Sequence, residues 1–232
     1  MSRSRNYLSG LRAGVPVVLG YVPVAVAYAV MARQAGFSGL ETISMSLFVF
    51  AGASQMMAAG MYAQGAGIVA IILATFILNL RHLIMSTCVI NRMKKDSTAV
   101  KLASAVAVTD ESFALFTTAD EAHSSGWYYL GLITMTYSSW VLGTVLGVAV
   151  SDFLPPLLTA SLAVSLYAMF LGILIPGLRG KVRLVLLVAA TAVCNSLLSL
   201  LLPSNWSLIV STLLCAAVGS FFVTPNGGEV RE

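Results

Sequence analysis

The stretch Ala66–Ile90 reads AGIVAIILATFILNLRHLIMSTCVI. Twenty-five residues carry one cation, Arg81, one imidazole, His82, and one amide, Asn79, in a run otherwise built of apolar, glycine and small hydroxyl residues. Such a run exceeds the roughly 20 apolar residues needed to cross about 30 Å of hydrocarbon. It does not alternate, so it reads as a membrane helix and not a barrel strand. An Arg near the centre of such a helix costs about 2.5–3.5 kcal/mol on insertion scales. A membrane protein keeps that group where it faces a partner, a water-filled cavity or a substrate. Asn79-Leu80-Arg81-His82 is therefore the first place to look for function.

The rest of the chain repeats the pattern. Of 232 residues, 58% are hydrophobic and 9% charged, against about 25% charged in a soluble domain. Apolar segments run over Gly14–Ala32, Ile43–Tyr62, Gly67–Val89, Ala99–Thr118, Trp127–Val150, Leu157–Ile175, Val182–Leu202 and Leu208–Val223. Turn residues separate them, among them Gly36-Phe37-Ser38-Gly39, Pro155-Pro156, Pro176-Gly177 and Pro203-Ser204-Asn205. The prediction is an all-α polytopic membrane protein, a single transmembrane domain over 1–232 with seven to eight spanning segments. Trp127, Tyr128, Tyr129 and Trp206 sit at segment ends, as interface belts do.

The net charge of +4 does not signal nucleic acid. The bases fall in short clusters between spans (Arg3, Arg5, Arg12; Arg92, Lys94, Lys95; Arg179, Lys181, Arg183), and no soluble face gathers them. Cys88, Cys194 and Cys215 lie in apolar segments without metal spacing and read as small buried hydrophobes. No phosphate-binding loop, metal-ligand set or nucleophile constellation stands out, so neither a cofactor nor a metal is expected and an enzyme is disfavoured.

A gapless shift of 116 residues pairs Ala74-Thr75-x-x-x-Asn79 with Ala190-Thr191-x-x-x-Asn195 and lays segments one to three over five to seven. This predicts an internal duplication with halves 11–92 and 127–206, joined by segment 99–119. If segment four spans, the halves are parallel; if it dips in and returns, they are inverted. With eight spans and the N-terminus inside, Arg33, Arg92, Lys94, Lys95 and Lys101 would all lie outside. In the inverted arrangement only Arg3, Arg5 and Arg12 do. Charge counting therefore leans toward inversion, at the price of a basic N-terminus outside.

Thr75, Asn79, His82 and Ser86 recur at i, i+4, i+7 and i+11, one stripe of a helix. Such a stripe is either a cavity wall able to bind a zwitterion and relay a proton, or interhelical glue. Arg81 points off it and can snorkel to the headgroups instead. Segment four carries Thr109-Asp110-Glu111-Ser112 at its middle, a natural counter-charge for Arg81 or His82, or else a wetted turn. In segment two, Phe50-Ala51-Gly52-Ala53-Ser54-Gln55 allows close helix approach or an unwound stretch. The candidate substrate-binding residues are Gln55, Thr75, Asn79, His82 and Asn195. The candidates for charge balance and proton coupling are Arg81, His82, Asp110 and Glu111.

Taken in order, Phe50-Ala51-Gly52-Ala53-Ser54-Gln55, Asn79-Leu80-Arg81-His82 and Thr109-Asp110-Glu111-Ser112-Phe113-Ala114 resemble the successive signatures of the AzlC family, the large subunits of bacterial branched-chain amino-acid exporters. The resemblance extends from about Gly10 to Val223. It implies a multi-pass protein of the bacterial cytoplasmic membrane working with a small hydrophobic AzlD-type subunit. It also implies export of leucine, isoleucine, valine and similar zwitterions such as methionine. The alternatives from other classes are a channel for small solutes or anions, and an accessory membrane subunit that only docks a partner.

Overall fold

The computed structural model describes residues 2–94, 96–120, 123–153, 171, 175, 178–202 and 204–222. Every regular element among them is helical. The predicted segment Leu157–Ile175 lies almost wholly outside the described residues, as do Pro155-Pro156, Pro176-Gly177, Pro203, Lys95 and Arg231; the side chain of Trp206 is likewise not described. The chain forms two compact units, Met1–Leu171 and Gly172–Glu232.

In the first unit, α1 (Arg3–Gln34) and α8 (Gly126–Val150) lie side by side and run in the same direction. Glycines set their approach. A Cβ on Gly10 would fall 1.9 Å from the Tyr128 carbonyl oxygen, and one on Gly131 would fall 2.1 Å from that of Tyr7. Farther along, Gly143 abuts Ala25, and Gly147 abuts Ala29. Small residues at a membrane crossing let backbones touch, which is where association energy comes from when lipid is as apolar as the side chains. Pro16 and Pro23 lie inside α1, which continues through both.

Segment two does not cross the membrane as a single helix. It divides into α2 (Gly39–Phe48) and α3 (Gly52–Ala63), with Phe50 at φ 44° between them. The two helices fold back on each other. Gln55 Nε2 donates to Ser46 Oγ at 3.1 Å, and the Tyr62 ring at the end of α3 returns to within 4.8 Å of Phe37 at the start of α2. Twenty apolar residues suit one crossing or a half-crossing and return equally well, and hydropathy does not separate the two.

Segment three is long and apolar enough to cross. It comprises α4 (Ile68–Asn79) and α5 (Arg81–Arg92), interrupted at Leu80, whose dihedrals stay helical. Ile68–Arg92, Arg3–Gln34 and Gly126–Val150 are the helices long and apolar enough to span among the described residues, short of the predicted seven or eight.

Segment four divides into α6 (Thr98–Val106) and α7 (Asp110–Thr118) and also turns back. Arg92, at the end of α5, donates to the Thr117 and Ala119 carbonyls at the end of α7. Asp96, just before α6, accepts from the Gly126 amide at 2.7 Å. Yet Asp110, at the turn between them, reaches Arg81 at the opposite end of α5. The α2–α3 hairpin thus enters from the end of the unit that holds Arg33 and Asp152. The α6–α7 hairpin enters from the end that holds Arg3 and Trp127.

Tyr128 and Tyr129 do not face outward as belt residues do. Both are buried, in a core with Phe116, Leu132, Val89 and Met93. Trp127 stays at the end of the unit, under Arg3. Cys88 faces outward, contrary to its reading as a buried hydrophobe, and Cys215 is buried.

In the second unit, α9 (Val182–Leu198) packs on α10 (Ser204–Phe222).

Candidate functional site

Three interruptions of helix meet between Tyr21 of α1 and Trp140 of α8: the first hairpin tip at Val49–Ala51, the break at Leu80, and the second tip at Ala107–Thr109. Together they enclose a cavity of about 400 Å³, its open mouth included. Its closed part has room for a few waters. Phe50, Ala51, Gly52 and Ala53 line it from the first tip, Arg81 and His82 from α5, and Thr109, Asp110 and Glu111 from the second tip.

Irregular backbone is tolerated at membrane depth only where its polar groups are bonded, and side chains supply those bonds here. At the first tip, Gln55 Oε1 accepts the Ala51 amide and the Trp140 indole N–H, both at 3.2 Å. Ser54 Oγ donates to the Ala51 carbonyl, and Tyr137 donates to the Leu47 carbonyl at 2.8 Å. At the second tip, Thr109 and Ser112 form a reciprocal capping box at the start of α7. Ser86 donates to the Ala105 carbonyl at 3.0 Å.

The charges are paired across the cavity. Arg81 and Asp110 form an ion pair at 3.0 Å, each side chain about one-third exposed. Glu111 is 6% exposed and accepts from the Tyr21 hydroxyl at 2.5 Å. Two helix N-termini open on the same space. That of α7 carries Asp110 and Glu111 in its first turn, whereas that of α3 has no side-chain cap. An uncapped N-terminus presents free amides and a partial positive charge to an anion.

The cavity thus gathers His82, Arg81, Asp110 and Glu111. Asn79 stands beside it, its Nδ2 donating to Ser54 at 3.1 Å and its buried Oδ1 without a partner. The remaining candidates fall elsewhere. Thr75 donates to carbonyls of its own helix, at Ile71 and Ile72. Gln55 is buried behind the tip with its bonds filled, so it braces the wall and does not line it. Asn195 lies in the second unit, where its Oδ1 accepts from Ser207 and Ser211 of α10. Arg81, read from spacing as pointing off the stripe, lines the cavity, where its long side chain reaches Asp110.

Sequence reading passed over Tyr21, Phe50, Thr109 and Trp140. One signal was available: Trp140 sits mid-segment, away from the interface where tryptophan usually belongs. It is stacked on Tyr28 and edge-on to Tyr21.

Residues 16–154, which include every cavity residue, match the family model described as AzlC protein. An uncharacterized membrane protein of Archaeoglobus fulgidus is 36% identical over 86% of this chain and 89% of its own length. The inner membrane protein YgaZ of Escherichia coli is 31% identical over 77% of this chain and 76% of its own. The branched-chain amino acid transport protein AzlC of Bacillus subtilis is 25% identical over 57% of this chain and 53% of its own. No solved structure matches. A family match over more than half the chain, centred on the two hairpins and the helix between them, makes this a membrane protein of the AzlC family.

Proposed function

We propose that this chain is the large subunit of a secondary transporter that exports branched-chain and similar apolar amino acids across the bacterial cytoplasmic membrane, working with a small AzlD-type subunit. The observation that carries the reading is the Arg81–Asp110 ion pair at the meeting of two hairpin tips. An α-amino acid is itself an ion pair, with carboxylate and ammonium on adjacent carbons. Its carboxylate can take Arg81 and the uncapped N-terminus of α3 while its ammonium takes Asp110. One internal pair is then exchanged for two, with no net charge buried. His82 and the Asn79 amide complete the polar side, and Phe50 and Trp140 offer apolar surface to a leucine-like side chain. The cavity has to open to admit such a molecule, and the strained Phe50 backbone marks where it would move.

The hairpins also remove the conflict in the charge count. Arg3, Arg5, Arg92 and Lys94 lie at one end of the first unit, and Arg33 at the other. Under the positive-inside rule the N-terminus is then cytoplasmic.

The test is leucine and methionine efflux from cells expressing the chain with and without a small AzlD-type subunit. Loss of efflux in Arg81→Ala, together with impairment in Asn79→Ala and His82→Ala, is expected. Unchanged export in all three sinks the site. Two half-crossing hairpins meeting tip to tip would also suit a passive channel; counterflow of labelled leucine excludes that reading.

A further inference from the structure

Glu111 is left over by this exchange of partners. Arg81 bonds to Asp110, and among the described residues no cation pairs with Glu111. Its partner is Tyr21, whose hydroxyl lies 2.5 Å from Glu111 Oε2 and 2.8 Å from Thr109 Oγ1. A phenol has one hydrogen and so serves one acceptor at a time. When Glu111 is ionised it takes that hydrogen. When Glu111 holds a proton, its own O–H can donate to the Tyr21 oxygen, and the Tyr21 hydrogen turns to Thr109. Thr109 Oγ1 then passes its hydrogen to Ser112 Oγ, 3.2 Å away, which in turn has the Tyr129 hydroxyl at 2.9 Å and the Thr109 carbonyl at 3.1 Å. Each polar atom keeps a partner in both protonation states. Besides Tyr21, the Glu111 carboxylate takes the Thr109 hydroxyl and its own backbone amide; no cation pairs with it among the described residues, and the group opens on the cavity.

We propose that Glu111 is the proton-binding group that couples transport to the proton gradient, with Tyr21 as the positioning residue that satisfies it in both states. The proton comes from cavity water on one side of the membrane and returns to water on the other, so nothing else is consumed. The titratable and charged groups around it are Tyr21 on α1, Arg81 and His82 on α5, Asp110 beside it on α7, and Tyr129 on α8 behind Ser112. The proposal rests on the reading of the cavity as the substrate site of a transporter.

Everted membrane vesicles from cells expressing the full chain with an AzlD-type subunit provide the test. Two quantities are read: accumulation of labelled leucine driven by a pH gradient, and leucine–leucine exchange without a gradient. In Glu111→Gln, whose amide mimics the protonated acid, the ratio of driven accumulation to exchange is expected to fall at least about tenfold. In Tyr21→Phe the pH profile of exchange is expected to move, because the ionised form loses its donor. An unchanged ratio in Glu111→Gln, or equal loss of both activities, overturns the proposal. Should that variant not reach the membrane, an unmoved pH profile in Tyr21→Phe overturns it instead. Absence of exchange in the wild-type chain refutes the transport reading itself, a separate result.

Discussion

Gly52, the first residue of α3, faces the six-membered ring of Trp140, and Gly52→Ala tests how that wall is built. A Cβ there would lie 2.5 Å from Trp140 Cη2, 2.9 Å from Cζ2 and 3.2 Å from Cζ3. Carbon atoms prefer about 3.5–4.0 Å, so the ring must retreat by about 1 Å. It has little room to do so. Trp140 is 3% exposed, Tyr28 stacks on it at 6.1 Å, Tyr21 meets it edge-on at 5.5 Å, and its N–H is bonded to Gln55. Overpacking of this kind costs about 1–3 kcal/mol, and a weakened indole bond adds about 0.6 kcal/mol. With about 2–4 °C per kcal/mol for a chain of this size, the melting point in detergent should fall by about 3–14 °C. Efflux should fall with it, because the displaced ring loosens Gln55 and hence the Ala51 amide that shapes the tip. Trp140→Phe deletes the atoms that clash. It destabilises by itself through a smaller ring and a stranded Gln55 oxygen, yet in Gly52→Ala/Trp140→Phe the clash is absent. The double variant should be more stable than the sum of the singles by about 1–2 kcal/mol. Strict additivity, or a Gly52→Ala protein with wild-type melting and efflux, refutes the account.

Labelling of single cysteines from outside intact cells should modify Ser38→Cys and Gln64→Cys but neither Lys94→Cys nor Asp120→Cys; accessibility that separates Ser38 from Gln64 would mean segment two crosses. Thr75→Val should leave efflux within about twofold of wild type, since its hydroxyl serves only its own helix. Phe50→Val should be more damaging than Phe50→Gly, measured by melting in detergent. Both lose the ring contact with Tyr137, but valine adds a β-branch at φ 44°, at about 1 kcal/mol or more. Reversal of their order would mean that the ring and not the backbone matters at the tip. Arg81→Asp/Asp110→Arg should not recover the efflux lost in either single substitution, because it sets Arg on the positive end of α7 and Asp against the α3 amides that would share the carboxylate; recovery would mean that only the pairing matters and not which partner each charge meets.

Composition and apolar run lengths established helices in a membrane, and Asn79-Leu80-Arg81-His82 located one wall of the cavity. Periodicity did less well within that wall. It placed Thr75 and His82 on one stripe and Arg81 off it, but Arg81 and His82 both line the cavity, because a long side chain beside the stripe still reaches Asp110. Topology was the hardest part to read. A run of about 20 apolar residues carries the same hydropathy whether it crosses or turns back, and what turns segment two back is tertiary. Gln55, Ser54 and Tyr137 must be in place to bond the exposed backbone between Leu47 and Ala51. Those bonds join residues up to 90 positions apart, beyond any local pattern. The small residues of Ala51-Gly52-Ala53 hinted at unwinding, but they did not say which way the chain leaves.

The two tips are built from the same parts with opposite polarity. Each ends a half-crossing helix and starts another whose N-terminus faces the cavity, and each has its loose backbone bonded by side chains at the start of the second helix, Gln55 and Ser54 in one, Ser112 in the other. They differ in charge. The α7 start carries Asp110 and Glu111 on its positive end, which neutralises its own dipole and leaves a site for a cation. The α3 start carries Gly52 and Ala53, which leave the dipole and amides open to an anion. A zwitterion is the simplest molecule that satisfies both tips at once, whereas a free anion would leave Asp110 against it and a free cation would meet Arg81. On the proposed transport reading, neutral α-amino acids should compete for the site, whereas the corresponding amines and carboxylic acids, each holding only one of the two charges, should not.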